Sequence, residues 1–278
     1  LDEVYTKDRS FSALRAAAGL RPAIADDSHT RALHRMLHID DVGRLATWTA
    51  WLAAPTRPEA NSDDPMQRML AAALGHTDVS EAGLTEIWEG LWSEDDARGE
   101  LVDLLATLHD DLRSPTAPVA GLPLARHARY TRAEVCAALD ILTPQRKVQS
   151  LQSGVYRCEP HRVDLLFVTL DKDEASFTPT TLYNDYPISP TRFHWESQSR
   201  TREDSPTGLR YRNPPPGWRI LLFVRQRRKD ARGVTEPFLL LGPVRYASHR
   251  GERPMQIHWQ LDDPAPVSWF TRVKLAAG

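Results

Sequence analysis

The sequence predicts an α+β chain: an N-terminal helical bundle, then a small curled β-barrel with flanking helices. Two observations carry this. Up to about residue 112, apolar side chains recur at spacings of three and four, the period of a helix with one buried face. Beyond residue 150 they gather in short runs rich in β-branched and aromatic residues, separated by turn sequences. Between the two regimes lies "RSPTAPVAGLPLA" (113–125), dense in Pro, Gly and small residues. It marks a boundary, giving a helical domain over 1–120 and a β domain over 121–278.

The elements follow in order. "SFSALRAAAGL" (10–20) opens on a Ser cap and stops at Gly19. "SHTRALHRMLHIDDVGRLATWTAWLAA" (28–54) sets Leu33, Met36 and Leu37, then Val42, Leu45, Trp48 and Leu52, on one stripe. The stripe breaks near Asp40 and Asp41, which suit the cap of a second helix. "PTRPEANSDDP" (55–65) reads as a connection. "MQRMLAAAL" (66–74), "EAGLTEIWEGLW" (81–92) and "ARGELVDLLATLHDDL" (97–112) keep the helical period. This first part therefore holds about five or six helices and no strand. In "YTRAEVCAAL" (130–139), Thr131 and Glu134 form a capping-box pattern. Strands are expected in "VDLLFVTL" (163–170), "FHWESQS" (193–199), "RILLFVRQ" (219–226), "PFLLLGPVRYAS" (237–248) and "MQIHWQL" (255–261). "NPPPG" (213–217) and "KDARG" (229–233) are turns between them.

The chain has 278 residues, 41% hydrophobic and 26% charged, the composition of a soluble globular protein with room for two cores. It opens at Leu1 without a methionine, so it reads as a piece of a longer polypeptide. No apolar run is long enough for a membrane span, and no secretory pattern opens the chain. With only Cys136 and Cys158, a disulfide framework is excluded, and a cytoplasmic location is expected. Net charge is −2, but residues 157–260 carry roughly five more Arg and Lys than Asp and Glu, while the first 120 residues are acidic.

Several chemistries can be weighed. Cys158 and His161 stand as C-x-x-H, half of a zinc site with no second half nearby. His34 and His38 read as helix-surface histidines. No metal site is expected. Asp185, Glu196 and Gln198 loosely match the carboxylate pattern of metal-dependent nucleases, with Gln198 where a Lys is usual. Phosphate-binding P-loops and G-x-S-x-G elbows are absent.

The segment "TTLYNDYPISPTRFHWESQS" (180–199) is too polar for a core strand and too aromatic for an ordinary loop. Tyr183, Tyr186, Phe193 and Trp195 supply flat faces, and Asn184 and Asp185 supply polar atoms between them. Strand alternation sends Phe193 and Trp195 to one side, His194 and Glu196 to the other. Which side is core stays open. Such a set suits a planar, hydrogen-bonding guest such as a nucleobase, which stacks on aromatics and is read along its edge. The plain alternative is that the tyrosines only pack the loop onto the barrel. Arg192, Arg200, Arg202, Arg210 and Arg212 flank the segment. Ser205, Thr207 and Gly208 in "SPTGLRYRN" (205–213) add hydroxyls and accessible amides, groups that grip phosphates without reading sequence. "RQRRKD" (225–230) is a solvated hairpin tip by default.

The stretch from about Tyr130 to Pro266 resembles a C-terminal domain, long of unknown function, of bacterial superfamily-two helicase-like proteins. The resemblance rests on "YTRAEVCAAL", "SGVYRCE", "DLLFVTLDKDEASFTPTTLYNDYPISPTRFHWESQSRTREDSPTGLRYRN", "ILLFVRQRRKD" and "FLLLGPVRYASHRGERPMQIHWQL". "MLHIDDVGRL" (36–45) looks like the helical coupler preceding that domain. The resemblance implies a parent with a phospholipase-D-like nuclease and an ATP-driven motor, some of these proteins being type IV modification-dependent restriction enzymes. It implies an SRA/PUA-like fold that binds double-stranded DNA and takes in flipped 5-methylcytosine or 5-hydroxymethylcytosine. Tyr183, Asn184, Asp185, Tyr186 and Trp195 then become the pocket. Arg192, Arg200, Arg202, Ser205, Thr207, Gly208 and Arg210 become the DNA-backbone contacts. The fragment itself would need no cofactor and would not be an enzyme. ATP and Mg²⁺ would serve the helicase and nuclease domains of the same parent chain. Alternatives are another nucleic-acid modification, or a nuclease using Asp185, Glu196 and Gln198.

Overall fold

The computed structural model describes residues 1, 3–20, 28–113, 115–171, 184–230 and 233–276. The chain forms two compact units, Leu1–Ser150 and Leu151–Gly278, and its class is α+β.

The first unit contains α1 (Phe11–Ala17), α2 (Ser28–Met36), α3 (Val42–Ala53), α4 (Pro65–Leu74), α5 (Glu81–Ser93), α6 (Asp95–Asp110) and α7 (Arg132–Ala138). Short polar side chains start them: Ser10, Asp41, Asp64 and Ser80 each accept a first-turn N–H of their helix. Thr131 and Glu134 complete the capping box of α7. The long apolar stripe breaks where Asp41 caps α3. The helix α4 is the central one, buried from Gln67 to Leu74, and it ends at Gly75, whose φ of 98° belongs to the left-handed region. Leu33, Met36, Leu45, Trp48, Trp88, Leu104 and Leu105 fill the interior. The strands here are two-residue pieces: β1 (Ala117–Pro118), paired with β2 (Ala125–Arg126), and β3 (Arg129–Tyr130).

His34 and His38 are not on a free helix surface. His34 Nδ1 lies 3.1 Å from the Tyr5 carbonyl, and His38 Nε2 lies 2.7 Å from Glu134. Glu134 also accepts from Arg44, which is buried, bonds Asp41, donates to the Arg129 carbonyl at 2.7 Å and covers the Tyr130 ring at 4.1 Å.

The second unit holds β4 (Val155–Cys158), β5 (Val163–Thr169), β6 (Tyr186–Ser189), β7 (Arg192–Glu196), β8 (Arg219–Arg225), β9 (Phe238–Arg250), β10 (Gln256–Leu261), α8 (Pro206–Arg212) and α9 (Val267–Ala276). The strands lie in the order β4-β5-β8-β9-β10-β7-β6. All pairs along this path are antiparallel except β5 with β8, between which the chain leaves to build β6, β7 and α8. Among the described residues the path ends at β4 and β6, and no pairing closes it into a barrel. Bulges interrupt it. One lies where Leu222 faces Gly242 and Phe223 faces Leu240; Gly242 takes a φ of 108°, which a side chain would resist.

The core of this unit lies on one sheet face: Leu166, Ile220, Leu222, Phe193, Trp195, Ile257 and Trp259, joined by Tyr211 from α8 and Trp269 from α9. The strands β5 and β8 are buried on both faces, as their unbroken apolar sequences require. In contrast, β7 and β10 alternate apolar with polar residues, which leaves them a polar outer face, although His194 on β7 is itself buried.

Candidate functional site

The outer face is built by register. Tyr186 on β6 pairs with His194 on β7, His194 with His258 on β10, and His258 with Ser248 on β9. Directly opposite residues point to one face, so four side chains form a row across four strands. The Tyr186 ring lies flat on the His194 ring, centroids 4.7 Å apart and planes 21° apart. His194 meets His258 edge-on at 5.2 Å. Ser248 Oγ is 3.3 Å from His258 Nδ1. Tyr186 is 41% exposed, whereas His194 beneath it is buried, at 7%. Pro187 is tolerated beside Tyr186 because β6 is an edge strand, where a missing N–H breaks no ladder.

His194 Nδ1 is enclosed and has no hydrogen-bond partner among the described residues. Burial, then the neighbouring His258, pull the His194 pKa down, against the opposing pull of Glu196 and Asp185. The environment thus favours the neutral imidazole.

Beside this row, two carboxylates lock the base of the hairpin. Asp185 is buried and accepts the Glu196 N–H at 2.9 Å. Glu196 in return accepts the Asn184 N–H at 3.2 Å, and its other oxygen accepts Gln256 at 3.2 Å. Gln198 turns away and donates to Ser153 at 3.0 Å. Asp185, Glu196 and Gln198 thus hold strand ends together. Among the described residues no group of three His, Cys, Asp or Glu side chains is placed to hold a metal ion. Cys136 and Cys158 are buried and not joined in a disulfide.

The predicted pocket residues separate. Tyr183 lies outside the described residues. Asn184, Asp185 and Tyr186 stand together at the start of β6. Trp195 does not join them: it is 4% exposed and packs in the core against Tyr211 at 5.5 Å and Trp259 at 5.9 Å. Alternation along β7 places it on the face opposite His194, because an indole gains more from burial than an imidazole does. His194 is the ring that partners Tyr186, and the pattern Phe-His-Trp-Glu signalled this once Phe193 and Trp195 were assigned to the core.

The predicted backbone contacts also divide. Arg192 and Arg200 are exposed. Arg202 pairs with Asp204 at 2.6 Å. Ser205 caps α8, accepting the Gly208 N–H and donating to the Arg202 carbonyl at 2.7 Å. Thr207 is half-buried on α8. Gly208 is no flexible grip: a Cβ there would lie 2.0 Å from the Arg202 carbonyl oxygen. Arg210 is committed to the interior. Its fork meets buried Asp164 at 2.7 and 3.0 Å, and Trp218 Nε1 donates to the same carboxylate at 2.8 Å. The Nε–Nη2 edge of the Arg210 guanidinium is thereby spent on the carboxylate and cannot also fork onto a phosphate.

Fold and site together define a class: an α+β chain with a helical unit and a mixed-sheet unit whose outer face carries stacked rings amid polar and cationic side chains. The chain belongs to the family described as Domain of unknown function (DUF3427), which matches residues 124–273, more than half of its length. The match takes in α7 of the first unit and nearly all of the second. No curated protein matches the chain. Among the described residues no helix is long and apolar enough to cross a membrane.

Proposed function

We propose that this chain is the DNA-recognition part of an ATP-dependent, modification-dependent restriction enzyme, and that its second unit binds duplex DNA by taking up a flipped 5-methylcytosine or 5-hydroxymethylcytosine. The observation that carries the reading is the Tyr186 ring, exposed and backed by His194, beside the buried Asp185 carboxylate. A ring held flat from behind is a stacking platform prepared before the guest arrives. Asp185, next to Tyr186 in the chain, is the acceptor this reading gives to the cytosine amine, and exposed Arg192 and Arg200 flank the hairpin. The resemblance of the second half to SRA/PUA-like readers points the same way. In this reading ATP and Mg²⁺ act in helicase and nuclease domains elsewhere in the parent chain, and this part performs no chemistry. The nuclease alternative gains nothing from the geometry, since both Glu196 oxygens are engaged, by Asn184 and Gln256, and Gln198 donates to Ser153.

The energetics set the size of the effect. Burying one methyl group contributes about 0.8 kcal/mol. Stacking adds roughly 1–3 kcal/mol without choosing between bases, and flipping costs a few kcal/mol. Those terms alone give about fourfold discrimination; a pocket shaped around the added carbon raises it to about ten- to a hundredfold against unmodified duplex. Competition binding of the 278-residue chain to methylated, hydroxymethylated and plain duplexes tests this. A modified-over-plain preference in that range is expected. Equal binding of all three overturns the proposal.

A further inference from the structure

We propose that the outer face of β7, β10 and β9 carries the phosphate backbone of the bound duplex, with Arg192 and Arg250 gripping it on either side of the Tyr186–His194 row. Register defines the surface. Arg192, Gln260 and Arg245 form one row, His194, His258 and Ser248 the next, and Glu196, Gln256 and Arg250 the third. None of these nine side chains is apolar, and most donate hydrogen bonds. The third row's only anion, Glu196, is already engaged by the Asn184 amide and by Gln256. Arg245 is held by Asp262 at 2.5 Å. Arg192 and Arg250 are both exposed, and the side chain of neither has a hydrogen-bond or ion-pair partner among the described residues. Between them, His194 keeps its enclosed Nδ1 without a hydrogen-bond partner among the described residues.

Spacing fits a nucleic-acid strand. Arg192 and Arg250 are two strands apart and offset by four residues along them, so their Cα atoms lie about 16 Å apart. That is the axial rise of about five nucleotides of one strand. The stacked rings fall between the two cations, so a base flipped from the middle of that stretch would leave gripped phosphates on both sides. Duplex DNA as the occupant rests on the reading above; the surface itself is read from register, exposure and charge.

The experiment follows the salt dependence of binding by the full chain, using a short duplex with one central methylated site and its plain counterpart. Arg192→Ala/Arg250→Ala should reduce the slope of log affinity against log salt by about 1.8, since each phosphate contact contributes about 0.9. Affinity should fall for both duplexes alike, with the methylated-over-plain ratio retained. Arg228→Ala, at the β8–β9 hairpin tip, serves as the control and should leave the slope unchanged. If the parent prefers methylated duplex but the double variant keeps the parental slope, this surface assignment is wrong and the reading above survives. If the slope falls but the parent shows no preference, the surface stands and the modified-base reading fails. A parent with no DNA affinity overturns both.

Discussion

Arg44 and Glu134 meet at 2.6 Å inside the first unit, 90 residues apart in the chain. Both side chains are buried, and the pair joins the start of α3 to α7. Asp41 and the Arg129 carbonyl take the rest of the Arg44 fork, and His38 takes the second Glu134 oxygen. The network is satisfied as a whole, so removing one member is far costlier than its net contribution.

Glu134→Gln keeps the shape and removes the charge. It should destabilise the first unit by about 3–5 kcal/mol, because Arg44 stays buried with a partner missing. Denaturant unfolding followed by far-UV circular dichroism reads this, since seven of the described helices lie in the first unit. A loss under about 1 kcal/mol would show the network to be redundant. Acid should act through the same carboxyl. Burial pushes it up, but His38 and Arg44 outweigh burial and bring it from 4.5 down to about 2. A carboxylate with a depressed folded-state pKa contributes stability above its unfolded value and loses it as pH falls through the folded one. The loss attributable to Glu134 should therefore fall between pH 4.5 and about 2, and be absent from Glu134→Gln.

Arg210 and Arg200 were equivalent as sequence features and should behave oppositely. Arg210→Ala strands Asp164, which is fully buried, with Trp218 alone. The second unit should lose about 3–5 kcal/mol. Arg200→Ala touches nothing buried and should change stability by less than about 0.5 kcal/mol, while weakening DNA binding in a salt-dependent way. Paired thermal melts and salt titrations separate the two; a stable Arg210→Ala with a reduced salt slope would reverse the assignment.

What the sequence made legible was local. The Asp41 cap, the Thr131–Glu134 capping box and the change of hydrophobic period depend on neighbours within a few positions, and all three are present. Beyond the two-residue pieces β1, β2 and β3, two short strands of the second unit escape the pattern. The first, β4, has four residues, and β6 is an edge strand broken by Pro187 and a register shift. The helix α8 was read as a phosphate grip, although Ser205 followed by Pro206 is a helix-start signal. The buried state of Arg44, Arg210 and Asp164 was not legible, because each depends on a partner at least 46 residues away. The site divides likewise. Nearness of Asp185 and Tyr186 followed from their adjacency, whereas the face on which Trp195 falls depends on pairing with β10.

Trp195 and Tyr186 give the sharpest contrast. Both are aromatic, nine positions apart, on paired strands, and the sequence made them members of one pocket. In the structure Trp195 is wedged between Tyr211 and Trp259. Trp195→Ala should open a cavity and cost about 3–5 kcal/mol. If the variant is assayed where it is still folded, its preference for methylated over plain duplex should survive. Tyr186 has 41% of its surface exposed and one stacking neighbour. Tyr186→Ala should cost under about 1 kcal/mol of stability, yet lower affinity for methylated duplex about tenfold, the loss expected for one stacked base. The two readouts must move in opposite senses for the two variants. Loss of preference in a folded Trp195→Ala, with Tyr186→Ala binding like the parent, would place the guest on the inner face of β7 and displace the platform from its role.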